Sequence, residues 1–398
     1  MSISTANSYN ASLESLVARQ TALINAQEQM TTGKRVNRAG DDPAAAARAE
    51  RAMATEQRTI ASQRAVDASN NAMSLTDNAL ADSTELLQQA RETMVAAGNP
   101  SYSDAERLAQ ANALSALRDQ LFAVANRTDG AGTYLFGGQG SAQQPFTDAP
   151  GSVTYQGTAG QTESASGEAL PLTMDGAAAW MSARTGNGVF ETQAVTSTGT
   201  AWIDGGSVTN PSAVTGATYN IQFSVAAGVT TYSVLKNGAA TAQTNMAFTP
   251  GQAIQIDGLS ATIKGQPANG DDFDLVPSTP TLSVFDTIDK AIADLKTPSR
   301  TGSQIAQSNA KNLDNLDAVL GQMSAARALV GANLNRVDAV TGRLSAMKLA
   351  SQTERSSAED LDMTQAISDF SNQQTGYDAA LKAYSMVQKL SLFNYLNI

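Results

Sequence analysis

Asp41-Asp42-Pro43-Ala44-Ala45-Ala46 opens, and Ala97-Gly98-Asn99-Pro100 closes, the stretch that decides this fold. Between Pro43 and Ala97 there is no further Gly or Pro, and Ala, Gln, Arg and Glu are abundant. Asp42 is placed to cap the first free N–H groups. Pro43 suits the first helical position because it has no N–H to satisfy. Gly98 followed by Pro100 is a stop signal. The pattern predicts one helix, roughly 80 Å long at the usual rise per residue.

Val66, Met73, Leu80, Leu87 and Met94 recur at every seventh position. Ser69, Thr76, Ser83, Ala90 and Ala97 form a parallel series of small residues. Large beside small at heptad spacing makes a narrow seam for close helix packing. A seam this thin cannot hold so long a helix alone, so partner helices are required.

The partners are legible further along. Leu313, Leu316, Leu320, Met323, Arg327, Val330, Leu334, Val337, Thr341 and Leu344 alternate three and four apart in a second long helix starting near 303. Arg327 and Thr341 are its polar breaks. Ser103-Asp104-Ala105-Glu106 is a capping box. It leads a helix expected to end near Asp129-Gly130 and to return antiparallel to the first long helix. Phe285, Ile288, Ile292 and Leu295 mark another helix, stopped at Thr297-Pro298.

Both ends of the chain carry thinner stripes. Residues 3–31 repeat Tyr9, Leu16, Leu23 and Met30 every seven, with Leu13, Val17 and Ile24 beside them and Gln20 and Gln27 interrupting. The last stretch repeats Met363, Phe370, Tyr377 and Tyr384, with Ile367 and Leu381 alongside, and ends Leu392-Phe393-Asn394-Tyr395-Leu396. Such ends are expected to be mobile in the monomer and to become helical when many copies associate.

Composition shifts between 141 and 280. Gly, Thr, Val and Ser dominate, and Arg184, Lys236 and Lys264 are the only basic residues there. Residues 219–225 and 231–235 alternate with period two, and Asn237-Gly238 follows as a hairpin turn. Residues 253–258 and 261–265 add further strands. The Gly/Ser/Thr-rich segment 196–218 is a candidate division of this insert into two. Gly130-Ala131-Gly132-Thr133-Tyr134-Leu135-Phe136-Gly137-Gly138 reads as a tight turn with an anchored strand.

The fold class expected is therefore α+β: an elongated, discontinuous helical rod or coiled-coil bundle built from both termini, with a central β-rich insert. Residues 1–35 and 365–398 are expected as terminal assembly helices, 36–140 and 281–364 as the helical rod, and 141–280 as the outer insert, in one or two subdomains.

Composition also excludes chemistry. The chain has no Cys and no His, which removes thiol catalysis, disulfides, Cys/His zinc sites and His-dependent triads. A net charge of −11 argues against nucleic-acid or anionic-membrane binding. No apolar run reaches transmembrane length, and no cleavable secretory signal is expected. Gly33-Lys34 lacks the rest of a phosphate loop. Asn269-Gly270-Asp271-Asp272-Phe273-Asp274 is acidic but lacks the spacing of a calcium loop, so a turn into a strand is its reading. Asp271 and Asp274 have no polar constellation around them for acid–base work. No cofactor, metal or catalytic residue is expected.

Met30-Thr31-Thr32-Gly33-Lys34-Arg35-Val36, Asp41-Asp42-Pro43-Ala44-Ala45-Ala46, Gly132-Thr133-Tyr134-Leu135-Phe136-Gly137-Gly138, Gly331-Ala332-Asn333-Leu334-Asn335-Arg336-Val337 and Leu390-Ser391-Leu392-Phe393-Asn394-Tyr395-Leu396 occur in that order. On these residues the chain resembles the flagellin superfamily, and within it the proteins of the hook–filament junction. Ile256-Asp257-Gly258 and Gly265-Gln266-Pro267-Ala268-Asn269-Gly270-Asp271 resemble an insert shared among hook-associated proteins.

The resemblance implies a structural adaptor assembling as a ring, with terminal helices in the inner layer and the insert outside. It implies export by the flagellar type III apparatus and a place in the flagellum. The partners implied are further copies, the other junction protein, flagellin and a flagellar export chaperone. Leu16, Leu23, Leu80, Leu87, Leu320, Phe370, Tyr377, Leu381, Tyr384 and Phe393 are the residues expected to carry packing and assembly. Filament flagellin is the alternative within the superfamily, and a soluble coiled-coil signalling protein the alternative outside it.

Overall fold

The structure is a computed structural model describing residues 2–140, 142–149, 151–164 and 168–396, with backbone alone at 2–6, 8, 387 and 389–396. Its helices are α1 (Ser2–Thr32), α2 (Pro43–Ala97), α3 (Asp104–Ala125), α4 (Gly176–Trp180), α5 (Val284–Lys296), α6 (Gly302–Glu359) and α7 (Met363–Leu396). The strands are β1 (Phe146–Ala149), β2 (Ser152–Tyr155), β3 (Phe190–Thr196), β4 (Trp202–Ile203), β5 (Ser207–Val208), β6 (Tyr219–Ala226), β7 (Val229–Lys236), β8 (Ala239–Ala240), β9 (Met246–Ala247), β10 (Ala253–Ile256), β11 (Leu259–Lys264) and β12 (Asp272–Pro277). This is the α+β class expected. The chain divides into two compact units, Met1–Arg64 with Val340–Ile398, and Ala65–Ala339.

The long helices start and stop where their end signals lie. Asp42 Oδ1 accepts from Ala45 N at 3.0 Å, which caps α2, with Pro43 first in the helix. That N–H first, and Arg35 second, hold the Asp42 carboxyl below the usual carboxylate range. The Ser103–Glu106 capping box forms in both directions. α3 ends at Ala125, short of the expected stop at Asp129-Gly130. The reason is Asn126: its amide accepts from Phe146 N at 3.0 Å and donates to Phe146 O at 3.1 Å, standing in for a strand partner of β1.

Within Ala65–Ala339, α2, α3, α5 and α6 bury one apolar cluster. Val66, Met73, Leu80, Leu87 and Met94 are 0–1% exposed. Ser69, Thr76, Ser83, Ala90 and Ala97 are equally buried. The hydroxyls among them are satisfied: Thr76 and Ser83 donate to carbonyls four residues back, and Ser69 to Pro171 O. Leu316, Met323 and Val330 of α6 lie in the same cluster, with Leu320 at its edge.

The insert is not one body. Phe146, Val153, Met174, Ala179 and Trp180 belong to the helical cluster. Trp180 stacks on Phe285 of α5 at 5.7 Å and 5°, and meets Phe136 edge-on at 5.4 Å. The motif around Tyr134 is the clasp beneath it. Leu135 and Phe136 are buried, and Gly138 sits at a φ of 62° so close to Thr158 that a Cβ would lie 1.8 Å from its carbonyl oxygen.

A second apolar core begins only at Phe190 and runs to Leu275. Two antiparallel sheets enclose it. One has the order β3-β12-β6-β7-β8, with β9 also on β7; the other has β10-β11-β4, with β5 also on β11. β6 and β7 overlie the two alternating stretches, β10 and β11 overlie 253–258 and 261–265, and β12 is the strand that follows the acidic turn. Asn237 and Gly238 both take positive φ, 49° and 81°, as a two-residue hairpin turn requires. Segment 196–218 does not divide the insert. It supplies β4 and β5, and buries Ala201 and Ile203 in the second core.

Candidate assembly site

α1 and α7 pair antiparallel in the first unit. Tyr9 meets Tyr384 with ring centroids 5.6 Å apart and hydroxyls bonded. Arg19 of α1 lies across Gly376 of α7, where a Cβ would be 2.6 Å from Nη1. Leu16, Leu23 and Met30 on α1 are half-buried, as are Phe370, Tyr377 and Tyr384 on α7.

A second stripe on each helix stays open. Leu13, Val17 and Ile24 are 41%, 53% and 55% exposed. Their spacing places them on one side of α1, offset from Leu16 and Leu23. Met363, Ile367 and Leu381 do the same on α7, at 45%, 53% and 40%. The helices are thus formed and paired in the single chain, whereas the sequence alone pointed to helices that form on association. The side chain of Phe393 lies outside the described residues. Leu80 and Leu87 are buried, and Leu320 is part-buried, in the helical cluster of the other unit.

The turn joining α1 to α2 is sewn to the turn joining α6 to α7. Lys34 bridges Asp360, Arg35 N donates to Glu359 O at 2.7 Å, and Leu361 N donates to Gly33 O at 3.0 Å. Lys34 Nζ pairs with Glu359 at 3.2 Å, and Arg35 donates to Ala358 O at 2.8 Å. The basic loop is therefore a structural clasp: Lys34 is engaged by a carboxylate, Arg35 by Asp42, and Arg38 by Glu28. Nothing in the spacing of Thr32–Gly40 reveals the contact with 358–361, because those residues lie more than 300 positions on.

The acidic turn at 269–274 is explained by its donors. Asp271 is fully buried. Its carboxylate accepts from Thr198 N at 2.7 Å, Thr198 Oγ1 at 2.8 Å, Gly199 N at 3.1 Å and Ala268 N at 2.8 Å. Burial pushes its pKa up, and these bonds outweigh burial and hold it below the usual range. Asp272 and Asp274 share the Asn220 amide at 3.3 and 2.6 Å. Among the described residues no three acidic side chains gather as a metal site, and no helix is long and apolar enough to cross a membrane.

Comparison with known proteins agrees with this arrangement. Residues 3–141 match the bacterial flagellin N-terminal helical region, and residues 313–396 the bacterial flagellin C-terminal helical region. The chain is 27% identical to flagellar hook-associated protein 3 of Escherichia coli over 397 residues, 99% of each chain. With the protein of that name from Salmonella typhimurium it shares 33% identity over 151 residues, 38% of this chain and 48% of that one. The crystal structure of Xanthomonas campestris FlgL superposes with a TM-score of 0.68 at 31% identity, over 77% of this chain and 99% of that chain. The matched end regions are the segments that build α1, α2, α3, α6 and α7, and the chain belongs to the flagellin superfamily, in its flagellar hook-associated protein 3 family.

Proposed function

We propose that this chain is a structural adaptor of the bacterial flagellum, at the junction of hook and filament, and that it assembles there as a ring. The family is structural and not enzymatic. The observation that carries the proposal is the second apolar stripe on each end helix. Leu13, Val17 and Ile24, with Met363, Ile367 and Leu381, present apolar surface that the α1–α7 pair leaves uncovered. Copies side by side would bury these stripes, with Leu16, Leu23, Phe370, Tyr377, Leu381 and Tyr384 at or near the contacts.

The hook-side neighbour is the other junction protein and the filament-side neighbour is flagellin. An export chaperone covers the end helices before assembly, and export runs through the flagellar type III route. The outer β core is dispensable for the ring.

Immunogold labelling of isolated flagella tests the location. Label confined to a band between hook and filament is expected, and label along the filament would instead make this chain a flagellin. Removing 371–398 tests the contact: it should leave the second unit folded by circular dichroism and abolish filament attachment. Filaments that still attach would refute the role of α7.

A further inference from the structure

The outer β core meets the helices of its own unit along one strip of α6. Gln307, Lys311 and Asp314 are spaced four and three apart, hence on one face. Gln307 takes the place of a neighbouring strand. Its Oε1 accepts from Ile203 N at 2.8 Å, and its Nε2 donates to Ile203 O at 3.2 Å. Lys311 pairs with Glu191 of β3 at 2.6 Å, with both side chains largely covered.

Asp314 differs from the other two. Among the described residues no donor or cation stands at bonding distance from its carboxylate. The carboxylate instead abuts the backbone of Gly205, where a Cβ would lie 2.1 Å from Oδ2. Two further carboxylates face it, and each is already held. From the β side, Asp204 Oδ1 accepts from Thr262 N at 2.9 Å and Gly206 N at 3.2 Å. From α6, Asp317 is held by Arg91 of α2 at 2.5 Å. Arg184, exposed, lines the same cleft of about 420 Å³, and Lys311, one turn away, is committed to Glu191.

We propose that Asp314 makes the joint between the outer β core and α6 depend on protonation. Neutral, Asp314 seats the 204–206 loop against the helix. Ionised, it repels Asp204 and Asp317 across a poorly solvated contact and lets the β core swing on Gln307 and Lys311. Of three adjacent carboxylates, two have donors, so the proton goes to the third. Burial first, then Asp317 and Asp204, push Asp314 up to about 6 from 3.8. The seated state holds the proton more tightly than the open one. Seating is therefore strongest below about pH 4, weakens as pH rises, and has lost this contribution above about pH 6. The seating equilibrium changes by up to ~100-fold across that window.

The chain has no Cys, so V229C on β7 and L329C on α6, both at exposed positions, label cleanly with a dye pair. Single-molecule energy transfer on the full chain reads the joint at about pH 5 and pH 7.5. A narrow distribution at the lower pH that broadens at the higher one is expected. In the Asp314→Asn background it should stay narrow at both. A pH-independent distribution in the parent, or an Asp314→Asn variant that follows the parent's pH response, overturns the proposal. If Asp314→Asn does not fold, Asp317→Asn decides: it removes one like charge and should lower the midpoint, and an unmoved midpoint overturns the proposal equally.

Discussion

Arg327 of α6 reaches Asp77 of α2, Nε to Oδ1 at 3.1 Å and Nη2 to Oδ2 at 3.4 Å. The residue that interrupts the apolar spacing of α6 therefore fixes the register of the helix pair. Arg91 and Asp317 make the same kind of bridge further along, and the two together show the helices antiparallel.

The seam itself carries the energy. Leu80 is fully buried beside Met323 and Val330 in one cluster. Leu80→Ala should cost about 2–5 kcal/mol. Arg327→Ala removes a bridge whose side chains are 40% and 33% exposed, and should cost about 1 kcal/mol or less. Thermal unfolding of both variants checks the ranking, and equal losses would contradict it.

The two apolar cores predict where the chain tolerates deletion. Phe190 and Pro277 are paired across β3 and β12, so a short Gly/Ser linker can close that gap. Replacing 190–277 should leave the helical circular dichroism intact. Extending the replacement to 146–278 removes Phe146, Val153, Met174 and Trp180 from the helical cluster. That longer replacement should lower the midpoint of thermal unfolding or abolish folding.

Trp180 alone is a sharper probe of the same boundary. It is fully buried against Phe136, Phe146 and Phe285. Trp180→Ala should destabilise the chain by about 3–5 kcal/mol. Fluorescence unfolding of a Trp202→Phe variant, which keeps Trp180 as its one tryptophan, should report the helical cluster, in step with circular dichroism at 222 nm.

Arg118 gathers Asp148 of β1 and Asp289 of α5 with bonds of 2.6–3.2 Å. The guanidinium holds the Asp148 carboxyl below its ordinary value of 3.8. A depressed folded value stabilises the fold above about pH 4, and that contribution is lost as pH falls through the folded value. The melting-temperature gap between parent and Asp148→Asn should therefore shrink on going from about pH 5 to about pH 2. A gap independent of pH would sink the assignment.

The α1–α7 pair should be the first part to open. Its residues at the contact are only half-buried, and Gln373 Oε1 is buried there without a donor. Brief proteolysis of the free chain should trim both ends before cutting within α2 or α6. Early cuts in α2 or α6 would refute this.

Much of this architecture is written locally. Asp42-Pro43, Ser103 with Glu106, and the heptads through Leu80 and Leu320 set helix ends and faces, because caps and periodicity act within a few residues. The strands β6, β7, β10 and β11 are legible for the same reason. Other features exist only once distant segments meet. Phe146 and Trp180 sit in a Gly/Ser/Thr-rich stretch with no period, and only the packed cluster assigns them to the helices. Three of the four donors that satisfy Asp271 come from residues more than 70 positions away, and the acceptors on Glu359 and Ala358 that clasp Lys34 and Arg35 lie more than 300 on. Sequence spacing encodes which face of a helix is apolar. Which partner covers that face, and which carboxylate finds a donor, is decided by the tertiary structure, because burial and hydrogen-bond satisfaction are properties of the assembled neighbourhood.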